Sequence, residues 1–348
     1  APTAPTIPAA PATPTIPTAP TTPAIPTAEK PQQEAVKPAT EAPKYGGTLN
    51  LALTSDDTNF DDIITRSTAP GALFQVLNEA MWQGNWAQGA AGGFGTNESD
   101  WMDKYDVWHH NTGAIAQSWK WVFDEAKNEG TLTYQIRQGV RWALNPKSEA
   151  SRLVGGREVT TDDVIFSLKQ MITDPRAYLY QANPGLRAAQ ITKTGPWEVT
   201  IKVPLDELIT AVSRFGNYGR VAPPEVVAKY GDMAKWQNSV GTGPFMITEY
   251  VAGSNAVLAR NPNYWGKDPV GPGKGNQLPY ADAVRFVIIP DASTRQAALR
   301  TGKIDILTPL SWEDTARMRK TTPALLEKEA PVGSGGGAAF YVYMRTDK

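Results

Sequence analysis

Residues 240–267 read VGTGPFMITEYVAGSNAVLARNPNYWGK, and no other stretch restricts the fold of this chain as tightly. Gly241, Thr242, Gly243 and Pro244 make a turn, after which residues 245–251 are β-prone. Ala252, Gly253, Ser254 and Asn255 reverse the chain, and residues 256–259 return beside the first strand. Asn261, Pro262 and Asn263 stop that second strand, because proline brings no N–H to a ladder. A Tyr264–Trp265 pair follows at once and is expected to anchor the exit in a core. On its chemistry alone this is one buried hairpin among several.

Other segments can supply the sheet that such a hairpin needs. Residues 46–53 (GGTLNLAL) open as a buried strand after a glycine pair, and residues 132–137 and 284–289 are β-prone as well. Trp197, Val199, Ile201 and Val203 alternate with Glu198, Thr200 and Lys202, the pattern of a half-buried strand. Helices are equally well marked. Thr160 offers an N-cap hydroxyl with Asp163 three residues on, and Val164, Ile165, Leu168, Met171 and Ile172 then fall on one helix face. Asp174–Pro175 ends that helix. Residues 72–81 and 206–215 suit short helices, with a stop at Pro223–Pro224, while residues 83–111 show no steady period and read as an irregular insertion. Ser293 and Gln296 predict a capping box for a helix closed by Gly302, and residues 304–307 return as a strand. Strand, helix and strand in that order predict an α/β fold of mixed sheets flanked by helices.

As a string, residues 240–267 closely resemble the signature of the family 5 extracellular solute-binding proteins of ABC importers. That family includes dipeptide-, oligopeptide- and nickel-binding receptors. Residues 113–119 (GAIAQSW), 139–142 (GVRW) and 290–305 (PDASTRQAALRTGKID) resemble it too, and the likeness covers most of residues 46–345. It implies the type II periplasmic-binding-protein architecture. On that pattern residues 45–82 and 204–348 form a discontinuous first lobe and residues 83–203 an inserted subdomain. Residues 340–348 correspond to the strand that leads into a distal lobe, so the expected architecture is incomplete: the distal lobe and the first lobe's closing strands are absent from this chain. Peptides are then expected to bind no better than about millimolar, roughly 4 kcal/mol.

The resemblance also implies a function. It predicts an extracytoplasmic receptor, not an enzyme and without a cofactor, that closes its lobes on a peptide or similar small solute and delivers it to ABC permease subunits. Oligopeptide or dipeptide leads as the substrate class; oligosaccharide and nickel complexes stay open. The loop after the first strand faces the ligand in this family, which makes Ser55, Asp56, Asp57, Thr58 and Asn59 candidates for a peptide's amine and amides. Phe340, Tyr341, Tyr343 and Arg345 are the candidates on the last strand. Family members commonly carry a lipid-modified cysteine after a signal peptide that is later removed. This chain has no cysteine, so a lipoprotein anchor to the cytoplasmic membrane is expected upstream of Ala1.

Composition adds what the resemblance leaves untouched. The first 44 residues hold 12 of the 29 prolines, no aromatic residue and no charge before Glu29. Proline-rich chain of this kind favours extended polyproline II and lacks the apolar mass to offset its ordering entropy. It reads as a disordered linker or stalk of about 3.1 Å per residue where extended, on the order of 100 Å in all. Such stalks also occur on surface-anchored structural proteins, a second reading of the whole chain. The net charge of −1 gives no basic footprint for nucleic acid. Without cysteine there are no disulfides and no thiol chemistry, and no run of about 18 apolar residues is long enough to span a membrane.

Motifs of chemistry are sparse. Residues 333–338 (GSGGGA) satisfy a loose dinucleotide pattern, but a β-prone segment follows where a helix N-terminus is needed. His109 and His110, the two histidines, point about 100° apart on a helix and to opposite faces on a strand, which suits them poorly to one metal. The pairs Asp56–Asp57 and Asp61–Asp62 leave open a secreted hydrolase working through two carboxylates. Loop and cap chemistry is their plain alternative. Seven of the eleven tryptophans fall between Trp82 and Trp142, where most are expected in a core.

Overall fold

The computed structural model describes residues 42–56, 59–64, 73, 76–85, 111–307 and 310–326. The strands among them are β1 (Thr48–Leu53), β2 (Trp82–Gly84), β3 (Asn111–Gly113), β4 (Ala116–Asp124), β5 (Glu129–Ile136), β6 (Gln190–Gly195), β7 (Glu198–Pro204), β8 (Phe245–Val251), β9 (Asn255–Arg260) and β10 (Ala283–Ile288). The α-helices with both ends described are α1 (Glu149–Val154), α2 (Thr161–Thr173), α3 (Tyr178–Ala182), α4 (Leu208–Tyr218), α5 (Pro224–Tyr230), α6 (Ala292–Arg300) and α7 (Trp312–Thr321). Residues 1–41 of the expected stalk and 86–110 of the expected insertion lie outside the described residues.

The signature hairpin forms as its turns predict. β8 and β9 pair antiparallel from Phe245 opposite Arg260 to Val251 opposite Asn255, with an irregularity between Ile247 and Glu249. Gly253 sits at the reversal with φ +68°, a conformation that a residue with a Cβ adopts only under strain. β9 then pairs antiparallel with β10, and β10 parallel with β1, giving the order β1–β10–β9–β8. Period-two alternation puts Leu53, Phe245, Ile247, Leu258, Val284 and Phe286 into one apolar cluster with Phe60, Leu73 and Leu77. Burying each such side chain stabilises the fold by about 1.5–3 kcal/mol relative to leaving it exposed.

A second sheet, β4–β5–β7–β6, is antiparallel throughout. The alternation around residue 200 holds in part: Val199, Ile201 and Val203 are buried with Leu132 and Tyr134 of β5 and Lys202 is exposed, but Thr200 is buried as well and Trp197 is only half-buried ahead of the strand. Helix α2 begins with the predicted capping box, in which the Thr160 side chain accepts from the Asp163 amide and the Asp163 carboxylate accepts from the Thr160 amide. Its Val164, Leu168, Met171 and Ile172 pack into the same cluster, and so do Leu208, Val212 and Phe215 of α4 and Val226 of α5.

Three local expectations are corrected. The helix after residue 290 is capped by Asp291, whose side chain accepts from the Thr294 amide, so α6 starts ahead of Ser293 and Gln296 is buried instead of capping. An aspartate placed right after Pro290 reaches the first free amides before Ser293 can. Residues 304–307 contribute a single parallel bridge, Ile306 to Leu51, instead of a strand. Finally, residues 73, 76 and 77 are helical but the backbone leaves the helix at Asn78. The carbonyls of Ala80 and Met81 accept instead from the amides of Ile115 (3.1 Å) and Ala114 (3.0 Å), which draws residues 80–84 into β2 and its pairing with β3.

Close packing holds this connecting stretch in place. A Cβ on Gly216 would stand 1.9 Å from the Trp82 ring, so only glycine lets α4 lie against that indole. The Trp82 indole N–H donates to Asn217 Oδ1 at 3.0 Å. Of the tryptophans expected in a core between residues 82 and 142, Trp82 and Trp142 are fully buried and Trp119 and Trp121 only half-buried, while Trp86, Trp101 and Trp108 lie outside the described residues.

Candidate functional site

The loop that leaves β1 holds part of the predicted ligand-facing set. The Asp56 carboxylate accepts from the Tyr250 hydroxyl (2.8 Å) and from the Gly253 amide (2.6 Å), clasping the tip of the β8–β9 hairpin. Asn59 Oδ1 accepts from the Asp61 amide at 2.9 Å. Asp61 is itself buried: its carboxylate takes the amides of Ile63 (3.0 Å), Ile64 (3.2 Å) and Met233 (2.9 Å). Burial pushes its pKa up, and those backbone donors pull against the rise. Asp62 pairs with Arg220 Nε at 3.0 Å. Each described carboxylate of the two aspartate pairs is thus occupied by a turn, a cap or an ion pair.

Two polar atoms near this loop differ. Ser55 Oγ and Asn255 Oδ1 are buried and find no hydrogen-bond partner among the described residues. Ser55 follows the carboxyl end of β1, and Asn255 opens β9 opposite Val287 of β10. Asp57, Thr58, Phe340, Tyr341, Tyr343 and Arg345 lie outside the described residues, as do His109, His110 and the glycine run at 333–338. The structure therefore sets Asp56 against the hairpin tip with Ser55 just before it in the chain, while Asn59 turns to the Asp61 amide.

A second constellation involves residues that sequence reasoning passed over. Glu79 is 4% exposed, and its carboxylate receives the Trp265 indole N–H, 3.0 Å from Oε1 and 2.9 Å from Oε2. The Arg137 guanidinium lies 4.2 Å above the Trp265 ring and spends Nε on Ala114 O (2.7 Å) and Nη2 on Gly113 O (2.9 Å). Burial pushes the Glu79 pKa up to about 7, against the hydrogen bonds of Trp265, Thr242 and Tyr264 and the charge of Arg137. Burial, and then the charge of Glu79, hold the Tyr264 hydroxyl well above its ordinary value.

The rest of the signature secures this junction. Asn261 Nδ2 donates to Gly243 O (2.8 Å), its Oδ1 accepts from the Asn263 amide (2.9 Å), and Asn263 Nδ2 donates to Trp142 O (3.2 Å). The Asn-Pro-Asn stop is thus a side-chain-capped turn that fixes where Tyr264 and Trp265 enter. A lone glutamate in the apolar run LNEAMW was the available signal for Glu79. Among the described residues no three His, Cys, Asp or Glu side chains converge to hold a metal, and no helix is long and apolar enough to cross a membrane.

Residues 112–348 match the family model described as bacterial extracellular solute-binding proteins, family 5 Middle. The chain belongs to that family. Similar proteins include a probable ABC transporter-binding protein of Deinococcus radiodurans, 24% identical over 229 residues that cover 60% of this chain and 35% of the relative. The dipeptide-binding protein of Escherichia coli is 25% identical over 220 residues, 59% of this chain and 38% of the relative. Among solved structures, the periplasmic binding protein DppA from Helicobacter pylori in complex with peptide STSA aligns with a TM-score of 0.59 and 18% identity, covering 80% of this chain and 49% of its own. This likeness gives the family 5 chain the type II periplasmic-binding-protein fold. The chain spans less than half the length of the relatives it matches. Its family consists of extracytoplasmic solute-binding receptors of ABC importers, not enzymes.

Proposed function

We propose that this chain serves an extracytoplasmic receptor that hands peptides or similar small solutes to the permease of an ABC importer. The carrying observation is the family 5 match over residues 112–348. A peptide-binding relative and a peptide-complexed structural neighbour favour peptide over the other solutes of the family. In this reading residues 45–82 and 204–348 belong to a first lobe, residues 83–203 form a subdomain set into it, and lobes close on the solute. The separate sheets β1–β10–β9–β8 and β4–β5–β7–β6 support two parts, but α4 and α5, which this division assigns to the first lobe, lend their apolar faces to the second sheet, so the packing favours a boundary later in the chain than residue 203. Tethering at the outer face of the cytoplasmic membrane belongs to the same proposal.

The residues put forward for the solute are Ser55, Asp56 and Asn59 and, from the family resemblance alone, Asp57, Thr58, Phe340, Tyr341, Tyr343 and Arg345. What supports this is the chemistry where β1 ends. Ser55 Oγ and Asn255 Oδ1 are acceptors withdrawn from water without a partner among the described residues, a state that costs about 1–3 kcal/mol per group. An ammonium or amide N–H of a peptide relieves it. Asp56, engaged with the hairpin tip, shapes the site. Saturation-transfer NMR, which reads binding as weak as millimolar, tests the substrate class on the 348-residue chain. Peptides of two to five residues should receive saturation, and free amino acids and oligosaccharides should not. Saturation of sugars alone, or cleavage of the peptides, would replace this reading.

A further inference from the structure

The Glu79 junction has a property that does not depend on the solute reading. Residues 77–82 pass between the two sheets, and their carbonyls bind both sides. Leu77 O accepts from the Gly243 amide (2.9 Å) at the entry of the hairpin, while Ala80 O and Met81 O accept from Ile115 and Ala114 ahead of β4. Glu79 lies in the middle of this stretch and reaches Trp265 at the hairpin's exit. As an ionised carboxylate it would hold the indole N–H between both oxygens, with the Thr242 and Tyr264 hydroxyls beside it. Arg137 stands over the Trp265 ring with two donors spent on backbone carbonyls, and closes no ion pair with Glu79.

The charged and titratable groups packed around the carboxylate are few among the described residues. Arg137 comes from just beyond β5 and Tyr264 from the hairpin exit, and both act on Glu79. The turn 241–243 contributes the Thr242 hydroxyl. On the side of α4, Arg220 is committed to Asp62 and to the Asn78 carbonyl. Burial outweighs these hydrogen bonds and the Arg137 charge, so the carboxylate favours taking up a proton.

We propose that the Glu79 junction is a proton-operated clamp: one proton on Glu79 fastens residues 77–82 to the hairpin exit, and its loss at higher pH loosens that attachment. In the loosened state the carboxylate reaches water and the bonds from Gly243, Ala114 and Ile115 open together. The pKa of about 7 puts the transition near neutrality. The same group ionises near 4.5 in water, so local opening should grow from pH 5 to pH 8 by on the order of fiftyfold and level off above that.

Native-state hydrogen exchange of the 348-residue chain tests this at the amides of Ala114, Ile115 and Gly243, after correction for the intrinsic pH dependence of exchange. The expected result is that rise in opening at these amides, absent at those of β6 and β7, and absent at all of them in Glu79→Gln. The Trp265 indole proton, assigned by its loss in Trp265→Phe, should titrate with a midpoint near pH 7 in the wild type and in a His109→Gln/His110→Gln variant. An indole signal that stays fixed between pH 5.5 and 8.5, or opening that does not change with pH, would overturn the proposal even if Glu79→Gln fails to fold. So would a titration that survives in Glu79→Gln.

Discussion

Replacing Trp265 by phenylalanine keeps most of the ring and removes the one N–H that both Glu79 oxygens share. The cost should depend on whether that carboxylate is charged. At pH 8, above its value of about 7, Glu79 is ionised, and a hydrogen bond to a charged group contributes about 1.5–3 kcal/mol. At pH 5.5 the carboxyl is neutral, and the same bond contributes about 0.5–1.5 kcal/mol. Trp265→Phe should therefore destabilise the chain by roughly 1–2 kcal/mol more at pH 8 than at pH 5.5. By linkage the Glu79 pKa in the variant then rises by about one further unit. Urea denaturation followed by circular dichroism at the two pH values measures the difference. An equal cost at both would show that the indole is not bonded to an ionisable partner, and the junction as described would be wrong. Trp265→Ala removes in addition a half-buried ring and the Arg137 stack, and should cost about 3 kcal/mol or more at either pH.

Glu79 itself makes stability fall with rising pH. Its folded value of about 7 lies above the ordinary 4.5, so the folded chain holds the extra proton. The contribution is complete below about pH 4.5 and is lost as pH climbs through 7, a change of roughly 3 kcal/mol. Asp61, also raised, acts in the same sense, and Asp174 and Glu225, both lowered, lose their contributions as pH falls toward and below about 4. The wild type minus Glu79→Gln stability difference between pH 5 and 8 isolates the one group; a flat difference would refute the assignment. Gly216→Ala should destabilise by about 1–3 kcal/mol despite the roughly 1 kcal/mol gained in helix propensity, because its methyl lands on the Trp82 ring; a rise in melting temperature would contradict that packing. Thr160→Ala should cost about 1 kcal/mol by removing half of the capping box, and Thr160→Ser should restore most of it on thermal unfolding.

What could be read from the sequence was local in origin. The β8–β9 hairpin is marked by its own turns, and α2 by a hydroxyl and a carboxylate three residues apart, so neither needs a distant partner to be recognised. Where two local signals compete, the reading fails: Asp291 takes the cap that Ser293 also offers, and geometry at Pro290 decides between them. The junction was illegible for a different reason. Glu79 meets Trp265 across 186 positions, and its burial depends on the Arg137 stack and the turn at Thr242. In the sequence it is one acid in an apolar run. The aspartate pairs show the reverse, since carboxylates adjacent in sequence are assigned to separate tasks at the hairpin tip, the Met233 amide and Arg220.

The central claim is that a family 5 chain presents a peptide-binding edge where β1 ends. A tripeptide carrying a photoreactive side chain, cross-linked to the 348-residue chain and mapped by mass spectrometry, tests it most directly. The account predicts labels concentrated on residues 53–62 and 250–256, competed away by the unmodified tripeptide. Labels gathered instead on the β4–β5–β7–β6 sheet, or labels that excess peptide does not displace, would contradict it.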